Sequence, residues 1–146
     1  MQYKRLNEIN LSNKTVLLRS DLNTPIENGL VINNERILRS LPTLNFILDA
    51  GARLVIMSHL GRPEENDKFQ EEFSLLPVVN EIENLLNKKI MFYNLGEFEK
   101  LDKIPKISVI ENTRFCIGEK SNDIDLSKRF AGLGDLIVMD AFATSH

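Results

Sequence analysis

The amino-acid sequence is poor in several features that would each indicate a particular class of protein. It holds a single cysteine, Cys116, which excludes an internal disulfide framework and a multi-cysteine metal site and indicates a reducing compartment. No apolar run approaches the ~20 residues that span a bilayer, and the first residues contain no apolar stretch of signal-peptide length. We therefore expect a cytoplasmic protein.

The sequence also lacks a charge excess and the common nucleotide-binding motifs. Its net charge of -3 gives no overall attraction for nucleic acid or for an anionic membrane surface, so anion binding must depend on where individual cations lie. No GxGxxG follows an apolar run and no GxxxxGK[ST] is present, which excludes a Rossmann dinucleotide fingerprint and a P-loop. If the chain handles a nucleotide, the rest of that site must lie elsewhere.

What the sequence does contain is five short apolar runs with the length of β-strands. None alternates strictly between apolar and polar residues, so each is predicted to be buried on both faces, as in a parallel sheet covered by helices. The runs are TVLLR (Thr15–Arg19), RLVIM (Arg53–Met57), KIMFY (Lys89–Tyr93), ISVIE (Ile107–Glu111) and LIVMD (Leu136–Asp140).

The segments between these runs carry helix signals. Ser40 followed by Pro42 predicts an N-cap with proline in the first turn of a helix that Gly51 stops. Ser74 precedes a second helix with apolar residues at helical spacing, and DIDLSKRFAGL before the fifth run predicts a third. The alternation predicts an α/β fold: a doubly wound, Rossmann-like parallel sheet with helices on both faces, in one domain over residues 1–146.

Polar residues follow the apolar runs, at the edge of a parallel sheet where ligands bind. Arginines and both histidines of the chain would form a positive basin there, because guanidinium groups hold carboxylate and phosphate bidentately. We therefore predict a small ligand with more than one negative group. The residues are Arg19, Asp21 and Asn23 after the first run, His59 and Arg62 after the second, Glu111, Asn112 and Arg114 after the fourth, and Asp140 and His146 after the fifth.

Several of these residues also have a purely structural interpretation. Asp21 could cap the local backbone through a side-chain hydrogen bond or form an ion pair with Arg19, and Arg114 could form an ion pair with Glu111. His59 could be a packed loop histidine. Metal binding by the two histidines is disfavoured, because no carboxylate or thiol stands at ligand spacing to either.

Two other features are given a structural interpretation. Cys116 is predicted to be a partly buried thiol, since no histidine lies nearby in sequence to activate it. The polar stretch RPEENDKFQEEF (Arg62–Phe73) is predicted to be a solvated loop between a strand and a helix.

In their order and spacing, several segments resemble the phosphoglycerate kinase family. They are VLLRSDLNTP, NERILRSLPT, VIMSHLGRP, FSLLPVVN, VIENTRF, GEK and VMDAFATSH, and they run from near the first residue to the last. The resemblance implies a two-domain glycolytic enzyme that moves a phosphoryl group between ATP and the carboxylate of 3-phosphoglycerate, giving 1,3-bisphosphoglycerate and ADP. This chain resembles only the N-terminal, phosphoglycerate-binding domain.

That partial resemblance sets the expected cofactors and partners. Mg-ATP or Mg-ADP would be bound by a C-terminal domain outside this chain, so the chain is expected to bind no cofactor or metal and to be inactive alone. Its expected partner is 3-phosphoglycerate, and neither nucleic acid nor membrane. The full-length enzyme is expected to be a monomer, whereas the fragment could self-associate through an exposed sheet edge and apolar patch.

The resemblance also assigns roles to individual residues. Asp21 and Asn23 would hydrogen-bond the hydroxyl and carboxylate side of phosphoglycerate. His59, Arg62 and Arg114 would grip its 3-phosphate. These groups would hold the acceptor carboxylate in place for transfer.

Two further arginines complete the expected site. Arg36, placed in a loop before the SLPT helix, would stabilise the transferring phosphoryl group as the catalytic residue, and Arg19 would support the binding residues. The sequence departs from the family pattern at three positions. Thr24 stands before a proline where the family prefers a smaller or aliphatic residue, and Ala143 and Ser145 give DAFATSH in place of DAFGTAH. A methyl at position 143 would matter if the backbone there needed a positive φ.

Two other functions remain open at this point. One is a free-standing domain that binds a phosphorylated acid without catalysis, which would be favoured if the reading frame did not continue past His146 with an arginine. The other is a flavodoxin-like receiver domain, which is disfavoured because Asn94 rather than an aspartate follows the third run and no lysine follows the last.

Overall fold

A computed structural model of the protein describes residues 3–141, and in it the five apolar runs form one parallel sheet. The sheet has the order β5-β6-β4-β1-β7, and two shorter strands, β2 and β3, form a separate antiparallel hairpin that the sequence pattern did not predict. The strands are β1 (Thr15–Ser20), β2 (Ile26–Glu27), β3 (Leu30–Val31), β4 (Arg53–Met57), β5 (Met91–Tyr93), β6 (Ile107–Ile110) and β7 (Leu136–Asp140).

The register of the parallel pairs brings the carboxyl ends of the central strands to one edge of the sheet. Arg19 near the end of β1 stands beside Met57 of β4 on one side and Met139 of β7 on the other. We call this end of the sheet, where the central strands β1, β4 and β6 finish, the carboxyl edge. The predicted convergence of the segments that follow these strands is therefore a property of the fold.

Within the described residues 3–141, four α-helices connect the strands, and the first begins earlier than predicted. They are α1 (Glu35–Asp49), α2 (Leu76–Leu86), α3 (Leu95–Glu99) and α4 (Ile124–Ala131). Ser40 is not an N-cap: it lies inside α1, and its hydroxyl donates to the carbonyl of Ile37 at 2.7 Å. Pro42 also lies inside α1. It has no amide hydrogen to donate to the carbonyl of Leu38, but both residues are exposed, so water can bind that carbonyl instead.

The other helix signals are confirmed. Pro77 lies in the first turn of α2, where the Ser74 hydroxyl accepts from the amide of Leu76 at 3.2 Å. Asp123 caps α4 by accepting from the amide of Leu126 at 2.9 Å, and Gly132 ends that helix. The short α3 was not predicted, although Asn94 and Glu97 form a capping box at its start.

Two separate apolar cores confirm the three-layer α/β/α fold. Alternate residues of the central strands point to opposite faces, so β1 contributes Val16 and Leu18 to one core and Leu17 to the other. Helices α1 and α2 cover the first face, and α3 and α4 cover the second. The burial of the central strands on both faces explains why their sequences do not alternate.

The two edge strands, β5 and β7, are exceptions to burial on both faces: no residue of β5 is fully buried, and its Met91 is 38% exposed. Leu136 and Val138 pack against the first core, whereas Ile137 and Met139 are 51% and 45% exposed. The prediction for this run was wrong because β7 is an edge strand with one open face. Among residues 3–141, no helix is long and apolar enough to cross a membrane.

Candidate anion-binding site

The segments that follow β1, β4 and β6 are fastened to one another at the carboxyl edge. Ser58 is fully buried between them: its hydroxyl accepts from the amide of Leu22 at 3.0 Å, and its carbonyl accepts from the amide of Thr113 at 3.1 Å. The three strand ends therefore hold a fixed relation to one another.

The peptide groups of Gly61 connect two of the predicted binding residues. The amide of Gly61 donates to Asn23 Oδ1 at 3.0 Å, and Arg114 donates from a terminal guanidinium nitrogen to the Gly61 carbonyl at 2.9 Å. Gly61 has a φ of +62°, and a Cβ there would lie 2.6 Å from the ring of Phe73. Only glycine fits this position without displacing a neighbour.

Asn112 holds the segments after β4 and β6 together. Its side chain is buried; Oδ1 accepts from the amides of Leu60 and Arg114, and Nδ2 donates to the carbonyls of Leu60 and Phe73, over 2.7 to 3.2 Å. The sequence placed Asn112 at the strand end but gave it no role. Its function is to fix the backbone that carries Arg114.

Arg19 and Arg114 share a carboxylate that the sequence analysis missed. Arg19 donates to Glu119 at 3.3 Å and to the hydroxyl of Thr113 at 3.0 Å, and Arg114 Nε lies 3.7 Å from Glu119. Neither of the alternative pairings, of Arg19 with Asp21 or of Arg114 with Glu111, is formed among the described ion pairs. The motif GEK contained Glu119, but nothing in the sequence indicated its partners.

Glu111 instead has a structural role. Its carboxylate accepts from the Ser74 hydroxyl at 2.7 Å and from the amides of Leu75 and Asn112, each at 2.8 Å. It thereby ties the end of β6 to the beginning of α2. Cys116 is partly buried as predicted, and burial raises the pKa of its thiol to about 11, which keeps it protonated.

His59 is buried within this cationic cluster, with 6% of its surface exposed. Burial lowers the pKa of His59 to about 4, reinforced by the positive charges of Arg114 and Arg19 and opposed by Asp21. The imidazole is therefore neutral at neutral pH. It can offer a ligand one N–H donor but no positive charge.

Arg36 and Asp21 form an ion pair on the outer side of the cluster. Arg36 lies in the first turn of α1 and not in a loop before the helix, which corrects the expected location. Burial acts to raise the pKa of Asp21, but the hydrogen bonds from Arg36 and the amide of Asn23, with the charge of Arg36, lower it overall. Asp21 is therefore ionised at neutral pH.

Arg62 is exposed, and among residues 3–141 it has no hydrogen bond or ion pair. It follows Gly61, whose peptide groups are fixed on both sides, so its backbone position is defined while its guanidinium group is free. Thr24 is buried, and its hydroxyl has no partner among the described residues; nothing in the structure explains the threonine. His146, Ala143 and Ser145 lie outside the described residues.

The arrangement is suited to holding an anion. The structure brings Arg19, Asp21, Asn23, Arg36, His59 and Arg114 into one connected group, and Arg62 adjoins it through Gly61. A cavity of about 580 Å³ lined by Tyr93, Asn94, Phe115 and Cys116 lies beyond β5 and β6 and does not include the arginines of this group. Among residues 3–141, no three His, Cys, Asp or Glu side chains could together hold a metal ion.

Comparison with known proteins gives consistent matches over nearly the whole chain. A family model described as phosphoglycerate kinase matches residues 6–146. The phosphoglycerate kinase of Coxiella burnetii (strain RSA 493 / Nine Mile phase I) is 45% identical over 141 residues, which are 97% of this chain and 36% of that protein. The phosphoglycerate kinase of Legionella pneumophila (strain Lens) is 43% identical over 147 residues, covering 100% of this chain and 37% of that protein.

Solved structures give the same result. The structure of phosphoglycerate kinase from Coxiella burnetii matches with a TM-score of 0.87 and 44% identity, over 97% of this chain and 36% of that one. The crystal structure of phosphoglycerate kinase from Pyrococcus horikoshii OT3 matches with a TM-score of 0.81 and 29% identity, over 97% of this chain and 37% of that one. The chain thus spans little more than a third of the length of these relatives.

Proposed function

Since the chain belongs to the phosphoglycerate kinase family, we propose that it supplies the 3-phosphoglycerate site of a glycolytic phosphoglycerate kinase. In that reaction a phosphoryl group moves between ATP and the carboxylate of 3-phosphoglycerate. The observation that carries the proposal is the connected group of arginines at the carboxyl edge, which offers fixed cations to a small ligand with two anionic ends.

The phosphate end of the ligand would be held by Arg62 and Arg114. The guanidinium group of Arg62 has no partner among residues 3–141, and Arg114 donates to the carbonyl of the adjacent Gly61. The Nε of Arg114 is buried and makes no hydrogen bond to the described residues. His59, neutral and buried, adds an N–H donor without repelling the arginines.

The hydroxyl and carboxylate end would be held by Asp21 and Asn23. The lowered pKa of Asp21 keeps its carboxylate ionised, so it can accept a hydrogen bond from the ligand hydroxyl. Asn23 uses its Oδ1 on the amide of Gly61, which leaves its Nδ2 to donate to a ligand carboxylate. The two ends of the ligand would thus meet donors of different chemistry.

Arg36 is the residue we assign to the transferring phosphoryl group. About half of its side chain is exposed, and Asp21 is its partner, so a ligand bound beside Asp21 would lie within reach of the guanidinium group. Phosphoryl transfer depends on positioning and on cations against the equatorial oxygens. The acceptor carboxylate is already ionised at neutral pH, so no general base is needed.

The magnesium-nucleotide of the family reaction is assigned no residue of this chain. The cations of the carboxyl edge fit an anionic substrate, and the described carboxylates form no group suited to a metal ion. We therefore propose that the 146-residue chain binds 3-phosphoglycerate and does not turn over ATP by itself.

Calorimetric titration of 3-phosphoglycerate into the chain tests this proposal. Arg62→Ala is expected to weaken binding by about tenfold or more, because it removes a free guanidinium group from the phosphate. Arg39→Ala is the matched control, since Arg39 is an exposed arginine of α1 whose partner is Glu35. Equal binding by the Arg62 variant and the unaltered chain would contradict the site. Measurable phosphoryl transfer by the chain alone would contradict the proposal that it does not turn over ATP by itself.

A further inference from the structure

The solvated polar stretch after Arg62 is hydrogen-bonded to the loop that follows Arg114. The carboxylate of Glu65 accepts from the amide of Gly118 and, at 3.3 Å, from the amide of Lys120. Asp67 accepts from the amide of Ile117 at 2.8 Å and donates its own amide to the carbonyl of Phe115 at 2.7 Å. The stretch is mostly exposed and lies between β4 and α2, as expected of a solvated loop, but these contacts fix its position.

These contacts fix the backbone on both sides of Glu119. Gly118, immediately before it, has a φ of +99°, and a Cβ there would lie 2.5 Å from the Cβ of Asp123. The loop therefore needs glycine at this position to keep its path. Glu65 binds the residues before and after Glu119, so the direction of the Glu119 side chain is determined by a carboxylate on the neighbouring loop.

The Glu119 carboxylate stands between the guanidinium groups of Arg19 and Arg114. The side chains of Arg19, Arg114 and Glu119 are 13%, 26% and 15% exposed, and Glu119 Oε1 accepts from Arg19 while Oε2 lies 3.7 Å from Arg114 Nε. Two guanidinium groups this close repel each other unless an anion lies between them. Because water has little access, the carboxylate orients both groups more strongly than a surface ion pair would.

We infer that Glu119 is a positioning residue, which is held by Glu65 and in turn holds Arg19 and Arg114 at the geometry that a two-ended anion requires. The inference rests on the proposed function for the identity of that anion. Glu119 does not touch the ligand; it sets the direction from which Arg114 reaches it.

The test is a double-mutant cycle between Glu119→Gln and Arg114→Lys, with the dissociation constant of 3-phosphoglycerate as the readout. In the unaltered chain, Glu119→Gln is expected to weaken binding about tenfold, as for residues that orient a ligand-binding group. In the Arg114→Lys background the loss is expected to fall below about threefold, because a lysine presents no planar fork for Glu119 to orient. Equal losses in both backgrounds would overturn the inference.

A matched control separates positioning from loss of charge or of folding. Glu72→Gln removes one negative charge from the same polar stretch, where Glu72 is exposed and makes no described side-chain contact, and it is expected to leave binding unchanged. Glu65→Gln is expected to weaken 3-phosphoglycerate binding, as Glu119→Gln does. In the double variant, Glu65→Gln should add little to the loss caused by Glu119→Gln. Fully additive losses would show that the two carboxylates act separately and would overturn the proposed link.

A nuclear magnetic resonance measurement without ligand tests the orienting role of Glu119 independently of the proposed function. The Nε–H resonance of Arg114 is expected to shift and to exchange faster with water in Glu119→Gln but not in Glu72→Gln. If the unaltered chain failed to bind 3-phosphoglycerate while this change was observed, the proposed function would fail and the orienting role would stand. An unchanged resonance would refute the orienting role whatever the ligand.

Discussion

The candidate site has two halves that differ in how firmly the protein holds them. The inner half consists of Arg19, His59, Asn112, Arg114 and Glu119, which are buried or largely buried and joined by hydrogen bonds to backbone and side chains. The outer half consists of Asp21, Arg36 and Arg62, of which the first two form an ion pair and the third has no partner among the described residues.

The difference indicates a division of labour within the site. Burial of charged and polar groups costs free energy unless each is paired, so the inner half carries a carboxylate and an amide that serve the arginines and not the ligand. In the outer half, the guanidinium groups of Arg36 and Arg62 stay hydrated and can turn towards a ligand without breaking a buried network. Substitutions in the inner half should therefore lower stability as well as binding, whereas those in the outer half should lower mainly binding.

The largest effect is expected for Asn112→Ala. The substitution leaves four backbone groups, two buried and two partly buried, without their hydrogen-bond partner, so the free energy of unfolding should fall by about 4 kcal/mol. Urea denaturation followed by circular dichroism measures the change. Asn45→Ala, at an exposed position of α1, serves as control and should remain within about 0.5 kcal/mol. A loss at Asn112 no larger than in the control would contradict the rigidity of the inner half.

The next largest effect is a difference in stability between variants of Arg114 and Arg62, the two arginines assigned to the phosphate. Arg114→Ala should lower the free energy of unfolding by about 2 kcal/mol, because it removes a guanidinium bond to the Gly61 carbonyl and leaves Glu119 with one partner fewer. Arg62→Ala should change stability by less than about 0.5 kcal/mol, since Arg62 is exposed. Both should weaken 3-phosphoglycerate binding. Equal stability losses would remove the distinction between the halves.

A pH dependence of stability is expected from His59. Its pKa is about 4 in the folded protein against 6.5 unperturbed, so between these values the unfolded chain binds a proton that the folded chain does not. The free energy of unfolding should therefore fall as the pH is lowered from 6.5 towards 4. His59→Gln should flatten the profile of the unfolding midpoint in that window. An unaltered profile in the variant would assign the acid sensitivity to carboxylates instead.

The smallest effect is expected for the outer ion pair. Arg36→Ala should change the free energy of unfolding by no more than about 0.5 kcal/mol, because its side chain is half exposed. Arg39→Ala, on the same helix and paired with Glu35, should behave alike in stability. The two should differ in phosphoryl transfer by a full-length enzyme, where loss of Arg36 removes the proposed catalytic cation. Similar activities would contradict that role.

Much of the fold could be predicted because the relevant signals are local. The strands β4 and β7 begin and end where their apolar runs do, and Pro77 with Ser74 locates the start of α2. The start of α1 could not be found in this way. A serine followed by proline is typical of a helix start, and whether Pro42 can lie inside a helix depends on exposure, which no local pattern shows.

The convergence of these side chains could be predicted, but not their pairings. Arg19, Asp21, Asn23, His59 and Arg114 come together as expected from the common direction of parallel strands. The partner of Arg19, however, is Glu119, which lies 100 residues away in the chain. The nearer Asp21 pairs with Arg36 instead, because α1 begins early enough to bring that arginine to it.

The sequence by itself determined the five strands of the parallel sheet, the α/β fold and the residues that meet at the carboxyl edge, because apolar runs and the direction of parallel strands fix which ends converge. Only the tertiary structure decided which carboxylate serves which arginine, that the stretch after Arg62 is fastened to the loop around Glu119, and that β7 keeps one face open. These outcomes depend on burial and on distances between segments remote in sequence, and burial decides which charges must be paired.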